Sequence, residues 1–268
     1  MEGRLGRGAL TLWAVGVVLF LWLPLGIILV YAFNTSNIQS WPIPGVTLRW
    51  FRVAWNDPDA RDALLLSLKA AFAATAIALA LGTMAAVAIS RFQFFGREIF
   101  SFLLILPLAL PGVITGIALS SFFTFGGVNF SLWTIVVGHA TFCVVIVYNN
   151  VLARLRRTSP SLIEASMDLG ADGWQTFRFV TFPVLSTALI SGALLAFALS
   201  FDEVIVTLFT SGAQQTLPIW IFANLQRPRE LPVVNVVALF VLLASIVPVY
   251  LAQKLSRGAA TGVPGGEK

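Results

Sequence analysis

The chain has 268 residues, of which 58% are hydrophobic and only 11% are charged, and its formal net charge is +5 at pH 7. Soluble domains carry about 25% charged residues. Its mean hydropathy is +0.89, and no soluble fold of this size covers so much apolar surface. The composition therefore excludes an ordinary soluble domain and predicts an all-α protein that crosses a membrane several times.

Uncharged apolar runs predict six membrane-spanning helices, because about 20 apolar residues cross the hydrocarbon of a bilayer. The first run is too long for the apolar part of a cleavable signal sequence, so none is expected. A turn at 125–129 is expected to join the third and fourth helices. We treat residues 1–268 as one membrane domain with a disordered tail at about 258–268. The predicted spans are about 9–33, 70–90, 99–121, 131–153, 179–201 and 231–253.

The distribution of basic residues predicts the orientation. With the N-terminus inside, eleven of the 17 Lys and Arg residues lie in cytoplasmic segments and six lie outside, as the positive-inside rule requires. Both termini and residues 154–183 are then expected in the cytoplasm. The basic residues flank spans instead of lining one helical face, so the charge does not indicate a nucleic-acid partner.

Residues 161–183 form a long polar stretch between apolar runs, and they predict two short helices around a tight turn. Ser161 and Glu164 have the spacing of a capping box at a helix start, although Ser159 followed by Pro160 is a competing start one turn earlier. These two starts remain open at this point.

The turn itself is predicted from three residues. Gly170 stands where a helix that ends in a left-handed residue needs glycine, and Asp172 is a suitable N-cap for a second helix from Gly173. That helix is expected to end before Pro183, because proline cannot donate the next backbone hydrogen bond.

The same stretch resembles the cytoplasmic loop of inner-membrane permease subunits of type I binding-protein-dependent ABC importers. The match is a Glu-Ala-Ala-like segment, a glycine and a later apolar-Pro break, with Ser166 in place of the second Ala and Phe182 in place of Leu. The resemblance implies the type I permease fold and a coupling loop at about 154–183 that docks on an ATPase. An ordinary loop with helix caps is the alternative. The implied docking residues are Ser161, Glu164, Ala165, Ser166, Gly170, Ala171 and Pro183.

The resemblance also implies partners. These are a homologous second permease subunit, a dimeric ABC ATPase, a periplasmic or lipid-anchored solute-binding protein and the lipid of a bacterial inner membrane. ATP and magnesium would bind the ATPase, since this sequence has no glycine-rich phosphate loop and is not expected to be an enzyme. A secondary transporter or a purely structural membrane subunit is the alternative class.

The sequence predicts no cofactor or metal site on this chain. His139 is the only histidine, and it stands in an apolar run near the only cysteine, Cys143. A lone buried histidine is more often a hydrogen-bonded packing residue than a ligand or proton relay. We therefore assign both residues to packing.

The third predicted span is expected to be kinked and tightly packed, because proline frees a backbone carbonyl and glycine permits close helix approach. In the family that it resembles, this region belongs to helices that move between inward-open and outward-open states. A static kink is equally compatible with the sequence. The candidate hinge residues are Pro107, Pro111, Gly112 and Gly116.

Asp202 and Glu203 are adjacent carboxylates at the end of the fifth predicted span, and ionisable residues in spans are candidates for function. Together with Thr216 to Pro218, they resemble segments of polyamine-type permeases, above all the second permease of spermidine/putrescine systems. The resemblance implies that the two acids line a polyamine path. A solvated or Lys69-paired cap at the membrane interface is the alternative, and iron, phosphonate, sulfate or thiosulfate are alternative solutes.

Overall fold

The computed structural model describes residues 4–227 and 231–260, and these residues form helices connected by loops. They form two compact units. One contains Met1–Arg61 and Trp220–Val247, and the other contains Asp62–Ile219 and Pro248–Lys268. The all-α expectation is confirmed, and the predicted tail at 258–268 lies mostly outside the described residues.

The described part of the chain contains twelve α-helices and one π-helical turn, Phe177–Thr181, between α8 and α9. The helices are α1 (Arg4–Ala32), α2 (Arg49–Asn56), α3 (Pro58–Arg91), α4 (Arg97–Ala109), α5 (Gly112–Phe125), α6 (Leu132–Arg157), α7 (Pro160–Asp168), α8 (Gly173–Thr176), α9 (Phe182–Phe201), α10 (Ile205–Thr210), α11 (Leu217–Leu225) and α12 (Leu231–Ala260).

Four helical segments among the described residues are long and apolar enough to cross a membrane: Gly8–Ala32, Pro58–Arg91, Leu132–Arg157 and Gly173–Phe201. They correspond to the first, second, fourth and fifth predicted spans. The helix at the second predicted span, α3, is longer than the predicted 70–90. The predicted sixth span, 231–253, falls on α12.

The third predicted span, 99–121, is wrong as one kinked helix. The chain forms α4 and α5 instead, with an angle of 105° between them. Leu110 has extended backbone angles and Pro111 occupies the N-cap of α5. Proline disfavours the helical conformation of the residue before it, which explains why the helix breaks there. The expected turn after α5 is confirmed, with Gly127 at a φ of +65°.

The smaller unit has its own packed elements. The indole Nε1 of Trp50 on α2 donates to the backbone oxygen of Asn34 at 2.7 Å, and Asn34 forms an isolated bridge with Val46. Phe51 on the same helix contacts Phe33 and Phe240. These contacts attach α2 to the loop that follows α1.

Helix α6 lies at the centre of the larger unit. A Cβ at Gly82 on α3 would lie 2.9 Å from the Cβ of Val147, and one at Gly192 on α9 would lie 3.4 Å from its Cα. The two glycines therefore let α3 and α9 approach α6 closely. The thiol of Cys143 donates to the backbone oxygen of Ala196 at 3.3 Å, which agrees with a packing role.

Candidate functional site

Helix α7 begins at the earlier of the two predicted starts. Ser159 is its N-cap and Pro160 occupies the first turn. A proline there loses no hydrogen bond, and its fixed φ suits a helix start. Ser161, the other candidate start, is not the N-cap. Its hydroxyl lies 2.6 Å from that of Ser159 instead, while Glu164 is exposed on α7.

The turn after α7 is the predicted left-handed end. Gly170 has a φ of +86°, and its N–H donates to the oxygen of Met167 at 2.9 Å. The N–H of Ala171 donates to the oxygen of Ser166 at 3.1 Å. This pair of bonds is the Schellman motif, which satisfies carbonyl groups that a helix end leaves open.

The second short helix, α8, has the predicted N-cap. The carboxylate of Asp172 accepts from the N–H of Gln175 at 2.7 Å, and the Gln175 side chain accepts from the Asp172 N–H at 2.9 Å. Sequence reasoning missed a second link: the hydroxyls of Ser166 and Thr176 lie 2.8 Å apart. The serine that departs from the family pattern thus joins α7 to α8.

The predicted end of this helix before Pro183 is wrong. Helical structure continues from Gly173 to Phe201 because the chain widens into the π-helical turn Phe177–Thr181 just before the proline. There the N–H of Phe182 donates five residues back, to Phe177. The wider turn lets the helix continue past a proline, whose missing N–H would otherwise interrupt it.

A cavity of about 400 Å³ lies between α7, the ends of α3 and α6, the π-helical turn and α9. The side chain of Arg91 donates to the Thr181 hydroxyl at 3.3 Å, and that of Arg154 donates to the oxygen of Val184 at 3.0 Å. These bonds connect the ends of α3 and α6 to the π-helical turn and to α9. The cavity is lined by Ser90, Arg91, Leu155, Thr158, Leu162, Ile163, Glu164, Met167, Val180, Thr181, Val184 and Leu185.

The acidic pair lies at the break between α9 and α10. Asp202 follows the last residue of α9 and is exposed. One carboxylate oxygen of Glu203 accepts from the N–H of Val206 at 2.9 Å, so this side chain caps the first turn of α10. The 20 residues of α9 span about 30 Å, the thickness of the hydrocarbon region. The pair is thus one bilayer thickness from Phe182.

His139 connects three helices at the same break. Its Nδ1 lies 2.7 Å from the hydroxyl of Ser200 on α9, and its Nε2 lies 2.8 Å from the hydroxyl of Thr207 on α10. The expected hydrogen-bonded packing is confirmed. No local sequence pattern indicates these partners, which lie 61 and 68 residues away. No group of three or more His, Cys, Asp or Glu residues could hold a metal ion in the part of the chain that is described.

Two of the candidate hinge residues pack against α10. A Cβ on Gly116 would lie 2.5 Å from the ring of Phe209, and one on Gly112 would lie 3.4 Å from Ile205. Pro111 marks the break before α5, and Pro107 lies within α4. The structure therefore places the α4–α5 break and the acidic break at the same end of the α5–α10 contact, where both helices begin.

Comparison with known proteins identifies relatives along the whole chain. The family described as "Binding-protein-dependent transport system inner membrane component" matches residues 78–260. The spermidine/putrescine transport system permease protein PotC of Escherichia coli (strain K12) is 30% identical, with all of both chains covered. The putrescine transport system permease protein PotI of the same strain is 35% identical, covering 86% of this chain and 85% of its own.

A third relative is the putative 2-aminoethylphosphonate transport system permease protein PhnV of Salmonella paratyphi A. It is 31% identical over 96% of this chain and 95% of its own. Among solved structures, a bacterial ABC transporter involved in the import of the acidic polysaccharide alginate has a TM-score of 0.74 at 16% identity, covering 95% of this chain and 98% of that chain. The chain therefore belongs to the inner-membrane permease family of binding-protein-dependent ABC importers.

Proposed function

We propose that this ABC importer permease carries polyamines such as spermidine and putrescine inward. The observation that carries the proposal is the acidic pair at the α9–α10 break, where Asp202 is exposed and Glu203 is only partly buried. Two adjacent carboxylates suit a flexible cation with several charges. A carboxylate and an ammonium group within a few ångströms of each other each favour the charged form of the other group. Two relatives, PotC and PotI, are named for spermidine/putrescine and putrescine transport, which supports the same solute class.

Energy for transport comes from a separate ATPase that docks on the coupling loop. Three features support this role: the Schellman turn, the Asp172 cap and the Ser166–Thr176 bond give α7 and α8 a defined shape. Glu164 is exposed on that surface and offers a carboxylate to a basic groove. ATP and magnesium bind to the ATPase, a homologous second permease completes the membrane path, and a solute-binding protein delivers the cargo.

The orientation follows from the basic residues. Arg154, Arg156 and Arg157 lie in the last turn of α6, next to the coupling loop, and cytoplasmic flanks of spans are enriched in arginine and lysine. The coupling loop and both termini then face the cytoplasm, where the ATPase finds ATP. Asp202 and Glu203 lie towards the opposite face of the membrane.

The test is uptake of labelled spermidine and putrescine in a bacterial strain without its own polyamine importers, after expression of the permease with its partner subunits. Asp202→Asn and Glu203→Gln are each expected to lower uptake, and the double variant most, because the amides keep the shape but remove the charge. The matched control is Asp59→Asn, an exposed acid in the first turn of α3. Full uptake by the double variant would reduce the pair to an interfacial cap.

A second solute is favoured by the relative PhnV, named for 2-aminoethylphosphonate transport. That solute carries one ammonium group, which suits the acids, and a phosphonate, which they repel. Competition separates the two solutes: excess 2-aminoethylphosphonate should leave labelled putrescine uptake unchanged if polyamines are the cargo. Import of the phosphonate with no polyamine import would overturn the proposal while the permease assignment stands.

A further inference from the structure

We propose that His139 is a positioning residue that fixes the acidic break between α9 and α10. The significance of this role for transport rests on the proposed function, but the geometry does not. His139 is buried on α6, with 1% of its surface exposed. Its two ring nitrogens bond to Ser200 and Thr207, which lie on either side of the break.

The hydrogen bonds have a defined direction. The hydroxyl of Thr207 donates to the backbone oxygen of Glu203 at 2.8 Å, and a carbonyl oxygen only accepts. The single hydroxyl proton of Thr207 is therefore used, so Nε2 of His139 must carry a proton and donate to Thr207. Nδ1 of the neutral ring then accepts from the hydroxyl of Ser200. One imidazole thus connects the last turn of α9, through Thr207, to the backbone of Glu203.

The acidic residue at the end of this chain of bonds is held at two points. The backbone oxygen of Glu203 accepts from Thr207, and its carboxylate accepts from the N–H of Val206. A further contact lies at the other end of α10, where the hydroxyl of Thr134 on α6 is 2.7 Å from the backbone oxygen of Thr210. Asp202, next to Glu203, is exposed. Its carboxylate faces solvent from a backbone that α6 holds in place.

Packing alone does not require a histidine here. A buried polar group without hydrogen bonds is unfavourable, whereas an apolar side chain would fill the same volume without needing partners. The imidazole is instead matched on both nitrogens to hydroxyls from two helices, and a fully satisfied buried network specifies one arrangement of the elements that it joins. The two hydroxyls lie on either side of the α9–α10 break. The arrangement that this network specifies is therefore that of the break.

The first test is independent of the solute. Cys143 is the chain's only cysteine and it is buried, so a nitroxide can be attached selectively to Asp202→Cys, with Val128→Cys in the exposed turn before α6 as the reference probe. In the purified transporter, His139→Leu should increase the mobility of the probe at 202 and leave the probe at 128 unchanged.

Two threonine variants separate the bridge from general loosening. Thr207→Val removes the link to Glu203 and should reproduce the effect at 202. Thr141→Val is the matched control, since the Thr141 hydroxyl donates within its own helix to Gly138 at 2.6 Å. The control should change neither probe. Unchanged mobility at 202 in either bridge variant, or equal loosening at both probes, would overturn the proposal.

The second test uses reconstituted transport. His139→Leu should lower spermidine imported per ATP hydrolysed by about tenfold, the size expected for losing two buried hydrogen bonds. It should also shift the ratio of spermidine to putrescine uptake, because a tricationic solute depends more on the placement of both acids. His139→Gln, which keeps a donor and an acceptor, should recover part of the loss.

The outcomes of the two tests are distinguishable. If the intact transporter imports no polyamine, the proposed function fails, and the probe at 202 still decides whether His139 positions the break. If polyamine import is present but His139→Leu lowers uptake and ATP hydrolysis equally with an unchanged solute ratio, the role is general packing and the positioning proposal fails.

Discussion

Replacing Gly170 with alanine isolates the contribution of one backbone conformation to the coupling loop. Gly170 has a φ of +86°, and a Cβ added there would meet nothing within 4 Å. The expected penalty is therefore backbone strain alone, about 1–2 kcal/mol for an L-residue in the left-handed region. If the ATPase binds only the conformation with residue 170 in the left-handed region, that penalty weakens docking by at most about 5- to 30-fold.

A second glycine in the same loop supplies the matched control. Gly173 also has open space around its Cβ position, but its φ is not in the left-handed region. Gly173→Ala should be neutral or slightly stabilising, since alanine favours helix by about 1 kcal/mol over glycine. Gly170→Asn should fall between wild type and Gly170→Ala, because asparagine tolerates this conformation better.

The assay is titration of the ATPase onto the permease pair in lipid nanodiscs, followed by ATP hydrolysis stimulated by the solute-loaded binding protein. We expect Gly170→Ala to weaken association and stimulation while membrane insertion stays normal. Equal behaviour of Gly170→Ala and Gly173→Ala would refute the reasoning, because the two differ in φ but not in available space.

Two other substitutions test separate parts of the structure. Gly82→Ala should destabilise the larger unit by about 1–3 kcal/mol, because its Cβ would lie 2.8 Å from the backbone oxygen of Val144; thermal unfolding in detergent measures this, with Gly16→Ala, which meets no atom, as control. Glu164→Lys should weaken ATPase association by reversing an exposed charge at the docking surface, and a pull-down with unchanged recovery of the ATPase would contradict it.

Local rules predicted the turn of the coupling loop well. Gly170 and Asp172 have the expected roles because a left-handed helix end and an N-cap depend on residues within a few positions of each other. The same rules failed where two local signals competed. Ser161 had the spacing of a capping box, but the proline after Ser159 fixed the earlier start.

Proline was also misjudged twice, in opposite directions. At Pro111 the sequence predicted a kink, but the helix is interrupted and its two parts meet at an angle of 105°. Before Pro183 it predicted the end of the helix, but the helix continues past the proline by way of a π-helical turn. Proline removes one donor in both places, but whether the chain bends or widens depends on what packs around it. Propensity alone does not contain that information, and the partners of His139 are equally non-local.

The helical run Gly173–Phe201 connects the two candidate sites directly. It begins next to the Asp172 cap of the coupling loop and ends next to Asp202, and its 29 residues correspond to about 43 Å of helix. A displacement of α8 therefore reaches the acidic break without crossing a flexible loop. The run contains one irregular segment, the π-helical turn, where Arg91 bonds to Thr181. At its far end His139 connects the run to α6 and α10. In the proposed function, a displacement of the coupling loop would therefore reach the acids through one helix.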